Sequence, residues 1–566
     1  MENYKYKWEL SELPTDEVID AEVKRIGEMY SKFASDDFDF NVPENYLEFL
    51  KFSDEFNIIS HKLYLLHYNL CVNQMSNEHN VQVSVLNFLL LKITSTEEYI
   101  KVQNKIKNIT EYDTLINSEL LADYKEYIIY NRDNVKYSFD GEKENLINKV
   151  SNCNTTSDIF DQYLTAIDFV IDDTKYNLNQ IMNMRKSTDR NERKLAYKAI
   201  ADTLSRNDVR CVIYNAYRSV IYSNRFNTNE RKYKNPISSR NIQEGLSDET
   251  IQIMIDTVRK NYHLVSEYFE LKKQKLGLDE LFDYDILAPI SNDNKLDFKD
   301  AITIYKDAVT NFLGDDISEM TDYLFENGKV DVYPNKFKSN GAFCSSSKNY
   351  GIHVLLNVND KEDDLFTLAH EMGHAYHAYL SVNNENINNT NFRPTLSVAE
   401  CASTFNEHIV ASAYNSADML YNKIEDTIGT LFRQIMYTDF ELEVHNRFQV
   451  EELSSDDIDM IWEKKVKELY PNVSMSVKNR SWMYISHFFH TPFYCYSYTF
   501  GVILSLYLYD RCVEDKEFIK TYKEILSMGG KYGTEELLNK YNIEVNAAFF
   551  QRGIDRFKKM IDEIKK

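Results

Sequence analysis

Turns are what this chain can least supply. Its 566 residues include 15 glycines and 8 prolines, where average usage would give about 40 and 28. Sandwiches, barrels and propellers need a turn signal roughly every 8 to 12 residues, so those architectures are excluded and long helices are expected. With 43% hydrophobic and 13% aromatic residues, there is material for one large core or two, which excludes a disordered chain. The 65 basic against 89 acidic residues give a net charge of −24. No Lys/Arg cluster interleaved with aromatics stands out against it, so nucleic-acid binding is not expected. No apolar run reaches the roughly 18 residues of a membrane helix, and Met1-Glu2-Asn3-Tyr4-Lys5 is not followed by an apolar export stretch. Seven scattered cysteines contain no Cys-x-x-Cys pair, which fits reduced thiols and offers no thiolate zinc site. A cytoplasmic protein without membrane association is expected.

To about residue 270 the apolar spacing is helical, as in 58–70 and 83–91. Asp168-Phe169-Val170-Ile171 reads as a short strand, and Ser187-Thr188-Asp189 offers an N-cap to a helix from Arg190. A weak composition change there suggests an N-terminal helical domain over 1–190 and a catalytic domain over 191–566. The segment 328–360 differs in kind: 330–333, 341–344 and 352–357 read as short strands with turns between them. Helices resume after 361.

The first of these later helices carries His370-Glu371-Met372-Gly373-His374. At 100° per residue, Leu365, Leu368, Ala369, Met372, Tyr376 and Tyr379 form an apolar stripe, with His370, His374 and His377 roughly opposite. Histidines at i and i+4 stand one turn apart, so both imidazoles reach one Zn²⁺ and the intervening Glu reaches a water on it. A catalytic zinc keeps three protein ligands and one open position. His377 lies about 10.5 Å along the axis from His370, too far to complete the set, and is expected beside the metal or in the cleft. Glu400, 26 residues after His374 across an Asn-rich loop, is the better third ligand, on a helix that small Ala402 and Ser403 let approach closely. Glu407 lies two turns beyond Glu400, placed either to orient a ligand imidazole or as a solvated or capping carboxylate. Downstream comes His487-Phe-Phe-His490-Thr-Pro492-Phe-Tyr494-Cys-Tyr496-Ser-Tyr498. Its hydroxyl and imidazole donors suit a tetrahedral oxyanion; in a chain with 41 tyrosines, plain aromatic core is the equal alternative.

Taken together, Ser187-x-Asp189-Arg190-x-x-Arg193, Tyr284-Asp285-x-x-x-Pro289, Gly341-Ala342-Phe343, Leu355-Leu356-Asn357, the extended histidine and Glu400 segments, and the His487 to Tyr498 run resemble the oligoendopeptidase F branch of the thimet oligopeptidase family. The likeness covers nearly the whole chain. It implies a predominantly α, zincin-type metallopeptidase with a small β-sheet beside the active-site helix and a deep substrate channel that admits unfolded oligopeptides. One zinc per chain would be bound by His370, His374 and Glu400, with Glu371 as general base. The strand around His353 to Asn357 would be the edge strand that pairs with substrate backbone. His487 would contact substrate, one or two of Tyr494, Tyr496 and Tyr498 would stabilise the oxyanion, and Gly341, Ala342, His353 and His490 would line the substrate. Two segments depart from the family pattern, Phe337-Lys338-Ser339-Asn340 and Gly529-Gly530-Lys531-Tyr532-Gly533-Thr534, which bears on subsites rather than on the zinc ligands. The expected activity is cleavage of internal bonds in short peptides. Competing readings are a zinc carboxypeptidase or dipeptidase of related fold and an inactive peptide-binding zincin. Oligopeptides are the expected partners, and a monomer is compatible with everything above.

Overall fold

A computed structural model describes residues 3–55, 58–73, 77–151, 156–290, 294–336, 338–414 and 416–565; Phe337, in one departing segment, lies outside them. In chain order, the elements that position the site are helix α1 (Ile58–Asn73), the hairpin β1 (Phe169–Ile171) and β2 (Thr174–Tyr176), helices α2 (Arg190–Ser205) and α3 (Ser238–Glu244), and strands β3 (Val330–Asp331), β4 (Phe343–Ser347) and β5 (Gly351–Leu355). Helices α4 (Glu362–Val382), α5 (Leu396–Tyr414), α6 (Gln434–Phe448) and α7 (Cys495–Glu514) follow. Most other described residues are also helical, as the shortage of turn residues requires. Among the described residues, no helix is long and apolar enough to cross a membrane.

The chain packs into two compact units, each built from separate segments. One comprises Met1–Cys153, Asn294–Pro394 and Ile519–Tyr532; the other comprises Asn154–Asp293, Thr395–Phe518 and Gly533–Lys566. The boundary expected at 190/191 therefore falls inside the second unit. The reason is local: Asp189 caps α2 by accepting from the Asn191 amide, and Arg190 and Arg193 of its first turn converge on fully buried Asp285 at 2.7 and 2.8 Å. That pair of bridges ties the start of α2 to the chain around 285, so the Arg190/Arg193 motif is a structural clamp.

In the first unit, N-terminal helices close over two apolar clusters, one around Phe33, Phe49 and Leu115 and one around Ile26, Ile59 and Leu66. The remainder is a three-stranded sheet with α4 packed on it. Its order is β3-β5-β4: β5 pairs parallel with β3 and antiparallel with β4, with Cys344 opposite Val354 and Ser345 opposite His353. This corrects the expectation that the His353 strand is the edge. Both sides of β5 are taken, and among the described residues no strand pairs with the outer edge of β4. The outer side of β3 is covered by the N-terminal segment, where Lys5 N–H donates to Phe325 O, Val332 N–H to Tyr6 O and Glu9 N–H to Gly328 O at 2.8 to 3.1 Å. Trp8 adds indole N–H bonds to Lys329 O and Val354 O at 3.0 and 2.9 Å.

In the second unit, α5 and α7 pack along one another. Gly501 makes the contact close: a Cβ there would stand 2.7 Å from the Glu400 Cβ and 3.0 Å from Ser397 O. An aromatic core beside them joins Trp462, Trp482, Phe440, Phe488 and Tyr217 through ring contacts of 5.0 to 6.5 Å.

Candidate metal centre

Helix α4 starts with three acidic residues in its first turn, where carboxylates complement the helix dipole. Asp364 also accepts from the Lys361 and Asn359 amides, both at 2.9 Å. Leu365, Leu368, Ala369 and Met372 are fully buried, while His370 and His374 on the other face stay partly exposed. Their rings are 4.9 Å apart and nearly perpendicular. His370, His374 and Glu400 each offer one ligand atom, and these atoms all lie within 4.8 Å of one another. Tetrahedral ligands about 2.0 to 2.1 Å from zinc stand roughly 3.4 Å apart. Two imidazoles and one carboxylate make a donor set that fits a zinc ion.

Glu371 points into the protein and is 6% exposed. Burial pushes the Cys344 thiol of β4 well above its usual range and the Glu371 charge adds to the shift, which puts this carboxylate beside that strand. Farther along α4, the Tyr376 hydroxyl donates to Asp316 at 2.7 Å and Ser381 to Leu526 O at 3.1 Å. His377 is 3% exposed. Burial pushes its pKa down to about 4 against the opposing pull of a bond to the Leu526 backbone. The ring anchors α4 rather than joining the ligand set.

Glu400 is held from two sides. Its own C=O accepts from Ser403 and Thr404 at 3.0 and 2.8 Å, and Gly501 admits α7 against it. The start of α5 is fixed by Glu244, whose carboxylate accepts from the Ser397 amide and hydroxyl at 3.0 and 2.9 Å while pairing with Arg240 at 2.9 Å. Arg240 in turn lies over the Tyr494 ring, 5.0 Å from its centre. Nothing in sequence spacing connects α3 with α5 or α7, so Arg240 and Glu244 escaped the sequence reading.

The downstream cluster divides. Tyr494 and Tyr498, one turn apart, form a triad with His487 at ring separations of 5.2 to 5.8 Å. Burial raises both phenols' pKa values, and the Glu400 charge adds to each, so both hydroxyls stay protonated near the Glu400 carboxylate. Burial, then the His490 charge, holds His487 below its usual pKa. Tyr496 is fully buried, and after burial the charge it feels most is that of Glu244; it faces another way. His490 is turned outward, its Nε2 3.0 Å from Asp161. Glu407 is engaged by Lys423. Gly341 and Ala342 lead into β4, and Asn357 holds that turn by donating to Ser339 O and Gly341 O at 2.8 and 2.7 Å. His353 sits opposite Ser345, one residue out of phase with Cys344. Alternation along a strand therefore puts it on the sheet face away from Glu371, where its ring meets Tyr68 and Trp8 at 4.8 and 5.9 Å.

The profile of peptidase family M3 matches residues 183–551. An oligoendopeptidase F homolog of Borreliella burgdorferi is 29% identical over 61% of this chain and 60% of its own length. One from Lactococcus lactis subsp. lactis is 25% identical over 84% and 80%. Thus the chain spans about 60% of the length of the first relative. Among solved structures, oligoendopeptidase-F from Enterococcus faecium superposes with a TM-score of 0.71 at 18% identity, covering 97% of this chain and 98% of that one; at that identity the likeness is one of fold.

Proposed function

The chain belongs to peptidase family M3, and from that premise we propose that it is a zinc-dependent endopeptidase of the cytoplasm that cleaves internal bonds of short, unfolded oligopeptides. The observation that carries the reading is the convergence of His370, His374 and Glu400 within 4.8 Å, with Glu371 next in sequence to the first of them. Zinc in that set supplies Lewis acidity toward water and a peptide carbonyl. Glu371 acts as general base toward the attacking water and hands the proton to the departing amine. Tyr498, Tyr494 and His487 donate to the oxygen on which negative charge develops. The outer edge of β4, beside Glu371, aligns an extended peptide by adding it as a further strand. The six described cysteines are free and scattered, which supports the cytoplasmic assignment.

The test is metal removal followed by product mapping. Chelation abolishes cleavage of a fluorogenic oligopeptide and zinc restores it, and mass spectrometry of the products finds internal cuts. Stepwise loss of single C-terminal residues would instead make the protein a carboxypeptidase. No cleavage with a full complement of zinc would make it a peptide-binding protein.

A further inference from the structure

The sheet has a second face. A cavity of about 260 Å³ opens there, between α1, the N-terminal segment and β5. We propose that it binds the α-carboxylate end of a single apolar amino-acid residue, either as a free amino acid or as the C-terminus of a peptide.

The argument starts from Lys329. Its ammonium is partly withdrawn from water, and among the described residues no carboxylate lies within ion-pair distance of it. Its partner is His353 Nε2 at 3.3 Å. An ammonium has only hydrogens to give, so Nε2 is the acceptor and the imidazole proton sits on Nδ1. That Nδ1–H is buried and has no hydrogen-bond partner among the described residues, in a side chain 3% exposed. Burial and the Lys329 charge hold His353 neutral, with a pKa pushed down to about 3. The pair thus carries one uncompensated positive charge and no acid, a setting that favours an anion.

The walls select what the anion is attached to. His61 stacks on Tyr350 at 4.5 Å, Tyr64 meets Tyr350 at 5.2 Å, and Tyr68 closes on His353. Drug-sized ligands occupy about 300 to 1,000 Å³, so this cavity takes one residue and not a run of them. Glu9 and Ser11 also line it. Glu9 pairs with Lys5 at 2.8 Å and offers a negative charge to an α-ammonium, which a free amino acid has and a peptide C-terminus lacks. The site is separate from the metal centre, so its failure leaves the peptidase reading untouched.

The experiment is calorimetric titration of the full chain with N-acetyl-L-phenylalanine, its amide, and free L-phenylalanine. The acid is expected to bind once per chain and the amide at least tenfold more weakly. Lys329→Met weakens the acid tenfold or more, Lys329→Arg recovers most of it, and Glu400→Ala leaves it in place. Tighter binding of phenylalanine than of the N-acetyl acid identifies a free amino acid; equal or weaker binding identifies a peptide end. Absence of binding at millimolar concentration, equal affinity for acid and amide, or indifference to Lys329→Met overturns the proposal. So does loss of binding on Glu400→Ala alone, which would put the carboxylate at the metal. Tyr350→Leu, which narrows no charge and removes a wall, is the second variant should Lys329→Met misfold.

Discussion

Two candidate pairs one turn apart, His370 with His374 on α4 and Tyr494 with Tyr498 at the start of α7, differ in how they can be found. On α4 the histidines lie opposite an apolar stripe, so their face is marked by its chemistry. Helix α7 is buried almost all round from Cys495 to Asp510, and a helix apolar on every side has no face that periodicity can single out. There only the neighbours separate the sides: the Glu400 charge acts on Tyr494 and Tyr498, and on Tyr496 the charge felt most is that of Glu244.

The contrast breaks first at Glu371. Replacing it with Gln should lower kcat by about 10² to 10⁴ with zinc content by atomic absorption unchanged; turnover near the parent rate would mean that the polar face of α4 does no chemistry. On α7, Tyr498→Phe should cost about 10² to 10³ in kcat and Tyr496→Phe less than threefold, and the opposite ranking would reverse the assigned face. A subtler test sits where α7 meets α5. Gly501→Ala pushes a methyl to 2.7 Å from the Glu400 Cβ, and overpacking of this kind costs about 1 to 3 kcal/mol, to be read as a lower Tm and faster zinc loss to a chelator.

A further effect is in pH. His377 has a folded pKa of about 4 against about 6.5 unfolded, so its contribution is fully present above pH 6.5. As pH falls toward 4 the unfolded chain gains a proton that the folded one refuses, and stability drops by about 1.4 kcal/mol per pH unit. His377→Leu should flatten the urea-midpoint profile by that slope over pH 4 to 6.5, whatever its constant offset. An unchanged slope would mean that His377 is charged in the fold.

Legibility follows the same division between local and distant information. The cap at Asp189, the strands between 330 and 357 and the helical bulk are written in short windows, and so is the histidine pair. Glu400 was reachable because helix geometry disqualified His377 and left a carboxylate on the next helix. Strand order was not reachable: a two-residue β3, laid parallel to β5, gives almost no local signal, and it moves β5 to the centre. Nor could a reading in chain order see units assembled from three separated segments, or that Asp161 takes His490 and Lys423 takes Glu407.

The N-terminal segment is part of the sheet. With residues 5 to 9 bonded along β3, the sheet of the described residues has one unpaired side; without them it has two, and unpaired strand edges recruit other chains. A fusion partner or truncation that dislodges Tyr6 and Trp8 would therefore be felt as self-association before it was felt as lost catalysis.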